Sequence, residues 1–336
     1  MSNIVIFSHF KPFPPNHGFA HRVWHLALDL KKKGHTVTIL HNAIHGQNKK
    51  IVNKIQEITI IQVPFLFSFF QKKHFIFQAN PLIIFEFFKL NNEKKIDIIQ
   101  IELPYLIVIT FFLRFMGKKI VYDAHGVEYR WQSIMYQRKG IILFSIKFIE
   151  KWALKLSNRA LCCSEEDKST FIREYKINDK KIKVVPSLID VNAFKHIKPF
   201  KFKKKTVLFI GSSLHPANKE AIEKIYYEIL PTVVKKVKNV QFCFIGKNPP
   251  EYLQGKNVMV FGEVDDVKPY IKGAQICIAP IFKGTGTRIK ILEYLAGCKR
   301  VVVTHKAVEG IETQSKKITF AEDIDSFAED IIQLLL

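Results

Sequence analysis

Short runs of β-branched and aliphatic residues alternate with amphipathic helical stretches along this chain, and the alternation starts twice. The first series opens with Ile4–Phe7. A loop bearing Pro12, Pro14, Pro15 and Gly18 follows, then a helix with Val23, Ala27 and Leu30 on one face. Lys31-Lys32-Lys33-Gly34 closes that helix with cations in its last turn and glycine just beyond. Thr36–Leu40 is the next strand. Ile58–Val63, Ile96–Ile101, Lys119–Asp123, Arg159–Cys163 and Lys181–Val185 are further strand candidates, with a long helix over Ile141–Leu156. The Phe-rich stretch from Phe65 to Phe88 has no period that assigns it.

The run 195–205 is basic, contains Pro199 and offers no face to bury, so it reads as a linker. After it come strands at Thr206–Ile210, Val240–Ile245, Val258–Phe261, Gln275–Ala279 and Arg300–Thr304. Helices are expected at Ala217–Lys236, Val267–Lys272, Arg288–Ala296 and Ile324–Leu335. Strand–helix alternation of this kind builds parallel sheets with helices on both faces. The expectation is α/β: two Rossmann-like doubly wound domains facing a cleft, 1–195 and 206–336, joined by the linker 196–205.

Composition narrows the class. A chain of 336 residues, 48% hydrophobic, has material for two cores. Its five cysteines show no C-x-x-C spacing and read as reduced thiols of a cytoplasmic protein. The start lacks a basic leader and a long apolar run, and Leu106–Leu113 is far too short to span a bilayer. The formal net charge of +22 fits lysine-painted solvated faces equally with attraction to phosphorylated substrates or to anionic lipid on the inner face of the membrane. The Phe65–Phe88 region and the Leu106–Phe115 segment could rest on such a surface, and a buried core with solvated lysines fits them at least as well. No zinc-finger, helix-turn-helix or RNP-like pattern accompanies it, so nucleic acid is not an expected partner.

Ligands of doubly wound sheets bind beyond the carboxyl ends of strands, which directs attention to three loops. In Lys283-Gly284-Thr285-Gly286-Thr287-Arg288, two glycines and two threonines open a helix, so backbone N–H groups and the positive helix end form an anion site. Lys290, on the first turn, reaches a diphosphate as a point charge. Glu293, three residues on, suits ribose hydroxyls. An ordinary capped helix with an exposed Lys–Glu pair has the same spacing. The second loop, Ala124-His125-Gly126, offers an imidazole at a strand end for a sugar hydroxyl or phosphate; a satisfied structural histidine fits it as well. In the third, Gly211 permits close backbone approach while Asn218 and Lys219 offer polar contacts at a helix start.

In order and spacing these segments resemble the GT-B retaining glycosyltransferases of the family 4 type (glycosyl transferases group 1). The resemblance covers nearly the whole chain: Leu28…Lys33-Gly34-His35-Thr36-Val37, Asp123-Ala124-His125, Cys163-Ser164-Glu165, Val185-Pro186-Ser187…Asp190…Phe194, Phe209-Ile210-Gly211, Pro216-Ala217-Asn218, Gly284–Glu293 and Val308-Glu309-Gly310. It implies a transferase moving a sugar from a nucleotide donor, such as a UDP- or GDP-sugar, to a saccharide or lipid-linked acceptor, with no metal or other cofactor. It implies that Glu293 holds the donor ribose, that Lys290 with the Gly286-Thr287 backbone holds the diphosphate, that His125 contacts the donor sugar, and that Gly18 opens its loop toward donor or acceptor. Thr285 stands where the family's first E-x7-E glutamate usually stands, although a subset carries G-x-G-T-R-x-K-x-x-E. Ser212 replaces an expected Arg, and Lys219 is the candidate for its lysine partner. The sequence ends at Leu336, where the family continues into a crossover helix, so looser domain closure is expected.

Rival chemistries fit less well. Asp265-Asp266 lacks the D-x-D spacing of metal-dependent transferases, and His21 and His25, four apart on a helix, have no third zinc ligand nearby. Neither half carries G-x-G-x-x-G after its first strand, against a dinucleotide oxidoreductase. A GT-B nucleotide-sugar epimerase and a degenerate nucleotide-sugar-binding protein remain as alternatives.

Overall fold

The structure, a computed structural model, describes every residue except 16–17, 44–48, 65–79, 137–138, 188, 285–287 and 312–314; the side chains of 81, 107–109 and 135–136 also lie outside the description. Contacts divide the chain into two compact units, Met1–Leu188 and Ile189–Leu336. Most of the Phe-rich stretch, and Thr285, Gly286 and Thr287, lie outside the described residues.

The first unit is built on strands β1 (Asn3–Ser8), β2 (Thr36–Asn42), β3 (Ile51–Ile55), β4 (Ile58–Val63), β5 (Ile98–Ile101), β6 (Lys119–Asp123), β7 (Arg159–Cys162) and β8 (Ile182–Val184). They lie in the order β3-β4-β2-β1-β5-β6-β7-β8, all neighbours parallel except the hairpin β3–β4. Its helices are α1 (Gly18–Lys32), α2 (Pro81–Lys94), α3 (Ile107–Phe115), α4 (Glu128–Tyr136), α5 (Gly140–Leu156) and α6 (Glu165–Tyr175). β1 is buried from Ile4 onward because helices cover both faces of a parallel sheet. α1 stops where the sequence says it should. Gly34 takes φ 84°, its N–H donates to Lys31 O at 2.9 Å, and the His35 N–H reaches Leu30 O at 3.1 Å. Strands leave β1 toward β2 and β4 on one side, then restart at β5 and run outward to β8. The topological switch point is therefore β1/β5.

The second unit carries β9 (Lys205–Ile210), β10 (Val240–Ile245), β11 (Val258–Gly262), β12 (Ile276–Ala279), β13 (Arg300–Val303) and β14 (Ile318–Phe320), with helices α7 (Pro216–Lys224), α8 (Leu230–Lys236), α9 (Lys268–Gly273), α10 (Ile289–Ala296) and α11 (Ile324–Leu335). The order β11-β10-β9-β12-β13-β14 is parallel throughout and reverses direction at β9/β12. The single helix expected over Ala217–Lys236 contains a π turn, Ile225–Ile229, between α7 and α8. Pro231 sits in the first turn of α8 and brings no N–H to the ladder, which accounts for the break.

The contact boundary falls before the basic run that the sequence presents as a linker. Phe194 is buried in the second unit's core. The Phe200 N–H donates to Pro269 O at 2.9 Å, and its ring stacks 4.9 Å from Tyr270. Gly273 makes the room: a Cβ there would lie 2.2 Å from the Phe200 carbonyl oxygen. The lysines between these aromatics disguise a strap packed along the second unit.

Candidate functional site

At the carboxyl end of β9 the chain turns through Gly211 into α7. At the end of β12 it turns through Gly284 into α10. The buried Tyr294 of α10 accepts the Ile210 N–H at 2.9 Å, tying this helix to the end of β9. Gly284, at φ 114°, passes so close to α7 that a Cβ would sit 3.4 Å from Ala217 Cβ. The two loops thus meet at the switch point.

Lys290 donates to Asn218 Oδ1 at 2.7 Å, and its ammonium lies 4.4 Å from the centre of the Phe209 ring. Asn218 is itself held by donating to Ser212 O at 3.0 Å. Its amide lies over Gly211 so closely that a Cβ there would fall 2.8 Å from Asn218 Cγ. Burial, helped by the Arg288 charge, pushes the Lys290 ammonium down to about 7 despite Glu293 nearby. Glu293, 9% exposed, is pushed up to about 7 by burial and by Asp266, with Lys268 and Lys290 opposing. His215, the residue before α7, is driven down to about 4 by burial and by Lys290 and Arg288, so it is a neutral imidazole, and its Nδ1 is buried without a hydrogen-bond partner among the described residues. Gly211, Asn218, Gly284, Arg288, Lys290 and Glu293 come together here. Lys219 does not join them: it lies one residue beyond Asn218 on α7 and is exposed. A histidine before Pro216 looks like any strand-to-helix turn, so the sequence alone does not single out His215.

In the first unit, His125 follows β6, and its Nε2 lies 2.5 Å from Glu102 Oε2. Its ring stacks on Phe19 at 4.4 Å, which brings the start of α1 at Gly18 beside it. Glu102, just after β5, also accepts from Gln100 Nε2 at 2.8 Å. Asp123, wholly buried, takes Arg22 of α1 through Nε at 2.9 Å and Nη2 at 2.5 Å, and Arg22 Nη1 continues to Val185 O at 2.7 Å. Burial alone would raise the Asp123 carboxyl, but the Arg22 charge reverses this and holds it below the usual carboxylate range. Burial, with Asp123 beside it, raises Glu102.

Sequence reasoning found His125 but missed Arg22 and Glu102, because Asp123 and His125, which they meet, are distant in the chain. Ligand atoms of Glu102, Asp123 and His125 lie within 4.8 Å of one another, as a metal site requires. A cation there would have to share Asp123 with the Arg22 guanidinium. His21 and His25 stack their rings 6.1 Å apart. The loop bearing His125 is fixed from behind: Glu150, buried in α5, accepts the Glu128 N–H at the start of α4 at 2.7 Å and the Tyr175 hydroxyl at 2.5 Å.

Comparisons with known proteins agree with this architecture. Residues 17–193 match the family model described as Glycosyltransferase Family 4, and residues 204–336 match that described as Glycosyl transferases group 1. An uncharacterized 44.6 kDa protein in the cps region of Klebsiella pneumoniae is 24% identical, the alignment covering 99% of this chain and 90% of the relative. Among solved structures, sucrose-phosphate synthase from Thermosynechococcus elongatus superimposes with a TM-score of 0.74 at 14% identity, covering 100% of this chain and 90% of that one. HepE from Anabaena in complex with UDP gives 0.65 at 12% identity, covering 99% and 89%. Two parallel-sheet domains of this kind are the GT-B fold. More than half of the residues fall within the first family model, and the chain belongs to glycosyltransferase family 4.

Proposed function

We propose that the protein transfers a sugar from a nucleoside-diphosphate sugar to a saccharide or lipid-linked acceptor, with retention and without a metal ion, in the synthesis of a cell-surface polysaccharide or glycan. One observation carries the reading: Lys290 stands at the start of α10, at the β9/β12 switch point, bonded to a neutral amide and, among the described residues, not to a carboxylate. A diphosphate is the anion that such a lysine, Arg288 and the first turn of α10 would receive. Glu293, one turn further, would accept from the ribose hydroxyls. UDP in the complex of HepE makes UDP-sugars the first donors to try, with GDP-sugars next. The relative in a cps region supports the polysaccharide assignment.

In the proposed reaction the bond between the anomeric carbon and the diphosphate oxygen breaks. Lys290 and the helix end stabilise the charge that develops on the leaving group. The acceptor hydroxyl bonds to the anomeric carbon, and its proton passes to the leaving phosphate oxygen. His125, held by Glu102 and stacked on Phe19, would contact the donor sugar. Calorimetric titration with UDP and GDP tests the donor site: one should bind to the wild type and be lost in Glu293→Ala. A folded protein that binds neither overturns the assignment. The anomeric configuration of the first-formed product, read by NMR, decides retention, and activity that persists in chelator decides metal independence.

A further inference from the structure

We propose that the outward face of α3 and α5 docks the protein on an anionic lipid membrane. Independent of the donor site, the inference begins with a helix that is apolar on two sides. α5 buries Ile146, Glu150, Ala153 and Leu154 against the first unit. Its outward stripe nevertheless reads Ile141, Phe144, Phe148 and Trp152, at helical spacings of three and four, with exposures of 79%, 71%, 53% and 38%. α3 packs beside α5 and presents Phe112 and Phe115, at 62% and 77%, with Phe111 in edge contact with both. Both helices rest on β6, so their outward faces lie on the same side of the sheet. Single exposed apolar residues need no explanation, but exposed aromatic stripes on two neighbouring helices do.

Charge selects the partner. The two helices contain one carboxylate between them, Glu150, and it is buried. At their carboxyl ends the cations converge. Lys181 Nζ donates to Lys155 O at 2.7 Å, and Arg114 lies near enough to act with burial in lowering the Lys181 ammonium. Lys155 itself lies over the Trp152 ring at 5.4 Å. Arg114, Lys139, Lys151 and Lys155 form no ion pair with a carboxylate among the described residues. Aromatic side chains flanked by unneutralised cations match the boundary between acyl chains and anionic headgroups, where the rings lose water and the cations meet lipid phosphates. A second copy of this face would bring cation against cation, which argues against a dimer.

Flotation with vesicles tests this directly. The wild-type protein should float with phosphatidylcholine containing about a third phosphatidylglycerol and should stay behind with phosphatidylcholine alone. The triple variant Phe115→Ser, Phe144→Ser, Phe148→Ser should lose at least about tenfold in lipid affinity. The pair Arg114→Gln, Lys155→Gln should lose about tenfold, with a weaker salt dependence. All five positions are exposed or at the surface, and thermal melting confirms that the variants fold. Trp152 gives a readout that needs no folding control: its emission should shift to the blue on anionic vesicles, and Trp152→Phe should abolish that shift. Failure of the wild type to float, equal flotation of the triple variant, or dimerisation through this face with indifference to lipid would each overturn the proposal.

Discussion

At the β1/β5 switch point the polar side chains of the first unit meet partners from the same protein: Arg22 lies on Asp123 and His125 on Glu102. At the β9/β12 switch point of the second unit, Lys290 meets an amide and an aromatic face, beside an imidazole whose Nδ1 has no partner among the described residues. The same topology thus supports two electrostatic designs. In the first, Arg22 offsets the burial of Asp123, although Glu102 stays raised, and the side chains are held in place before any ligand arrives. In the second, burial is left against the lysine and drives its ammonium down to about 7, a cost that an arriving anion removes. A closed network of this sort suits orientation of a neutral group such as a sugar; an incomplete one suits capture of a diphosphate.

The comparison is broken most forcefully at Asp123. Removing a partner from a buried ion pair leaves the other charge uncompensated, at about 3–5 kcal/mol. Asp123→Ala should therefore destabilise the first unit by that order. All three tryptophans, Trp24, Trp131 and Trp152, lie in that unit, so denaturation followed by their fluorescence reports on it. A double variant, Arg22→Met with Asp123→Leu, should recover most of the loss. A single variant as stable as wild type would mean that the Arg22 network is not closed.

Lys290→Ala should leave the fold intact, because the lysine bonds to an exchangeable amide, yet lower kcat/KM about 10²–10³-fold if its charge meets the leaving group in the transition state. Near-normal turnover would remove the second site from the chemistry.

How visible these designs were in the sequence differs along the same lines. The anion site was legible because its parts are local: a glycine-threonine loop, a lysine on the next turn and a glutamate three residues later all lie within Gly284–Glu293. The closed network was not. Arg22 and Asp123 are 101 residues apart, and Arg22 lies off the stripe Ala20, Val23, Trp24, Ala27 that marks the buried side of α1. The hairpin β3–β4 went unread for another reason. Its turn uses Gln56 and Glu57 at φ 47° and 64°, where the usual signal is Asn-Gly. His215 gave no signal because burial beside Lys290, and not its spacing, makes it notable.

The pH dependence sharpens the contrast. A bound diphosphate favours the Lys290 ammonium, so with a free-protein value of about 7 the site takes up a proton on binding above that pH. Affinity should fall by up to about tenfold per pH unit on the alkaline side. Glu293 acts oppositely: ribose hydroxyls donate to its carboxylate, which protonates as pH falls through about 7. Donor affinity should therefore peak near neutrality. Lys290→Ala removes the alkaline limb and Glu293→Gln the acidic one. Calorimetry in buffers of different ionisation heat reads the proton uptake, and a flat profile from about pH 6 to 8.5 would show that neither group meets the donor.

The smallest effect is expected at Lys219, and it separates sequence from structure most cleanly. The family resemblance offers Lys219 as a lysine of the donor site, whereas the folded chain gives that neighbourhood to Asn218 and leaves Lys219 exposed on α7. An exposed lysine acting only through screened charge should contribute less than about 1 kcal/mol. Lys219→Ala should accordingly change nucleotide affinity by less than about fivefold, and that change should vanish in high salt. A loss comparable to that of Lys290→Ala, persisting in salt, would mean that Lys219 turns in to the diphosphate when the donor binds, and that the second site is completed by movement of α7 as well as by the anion.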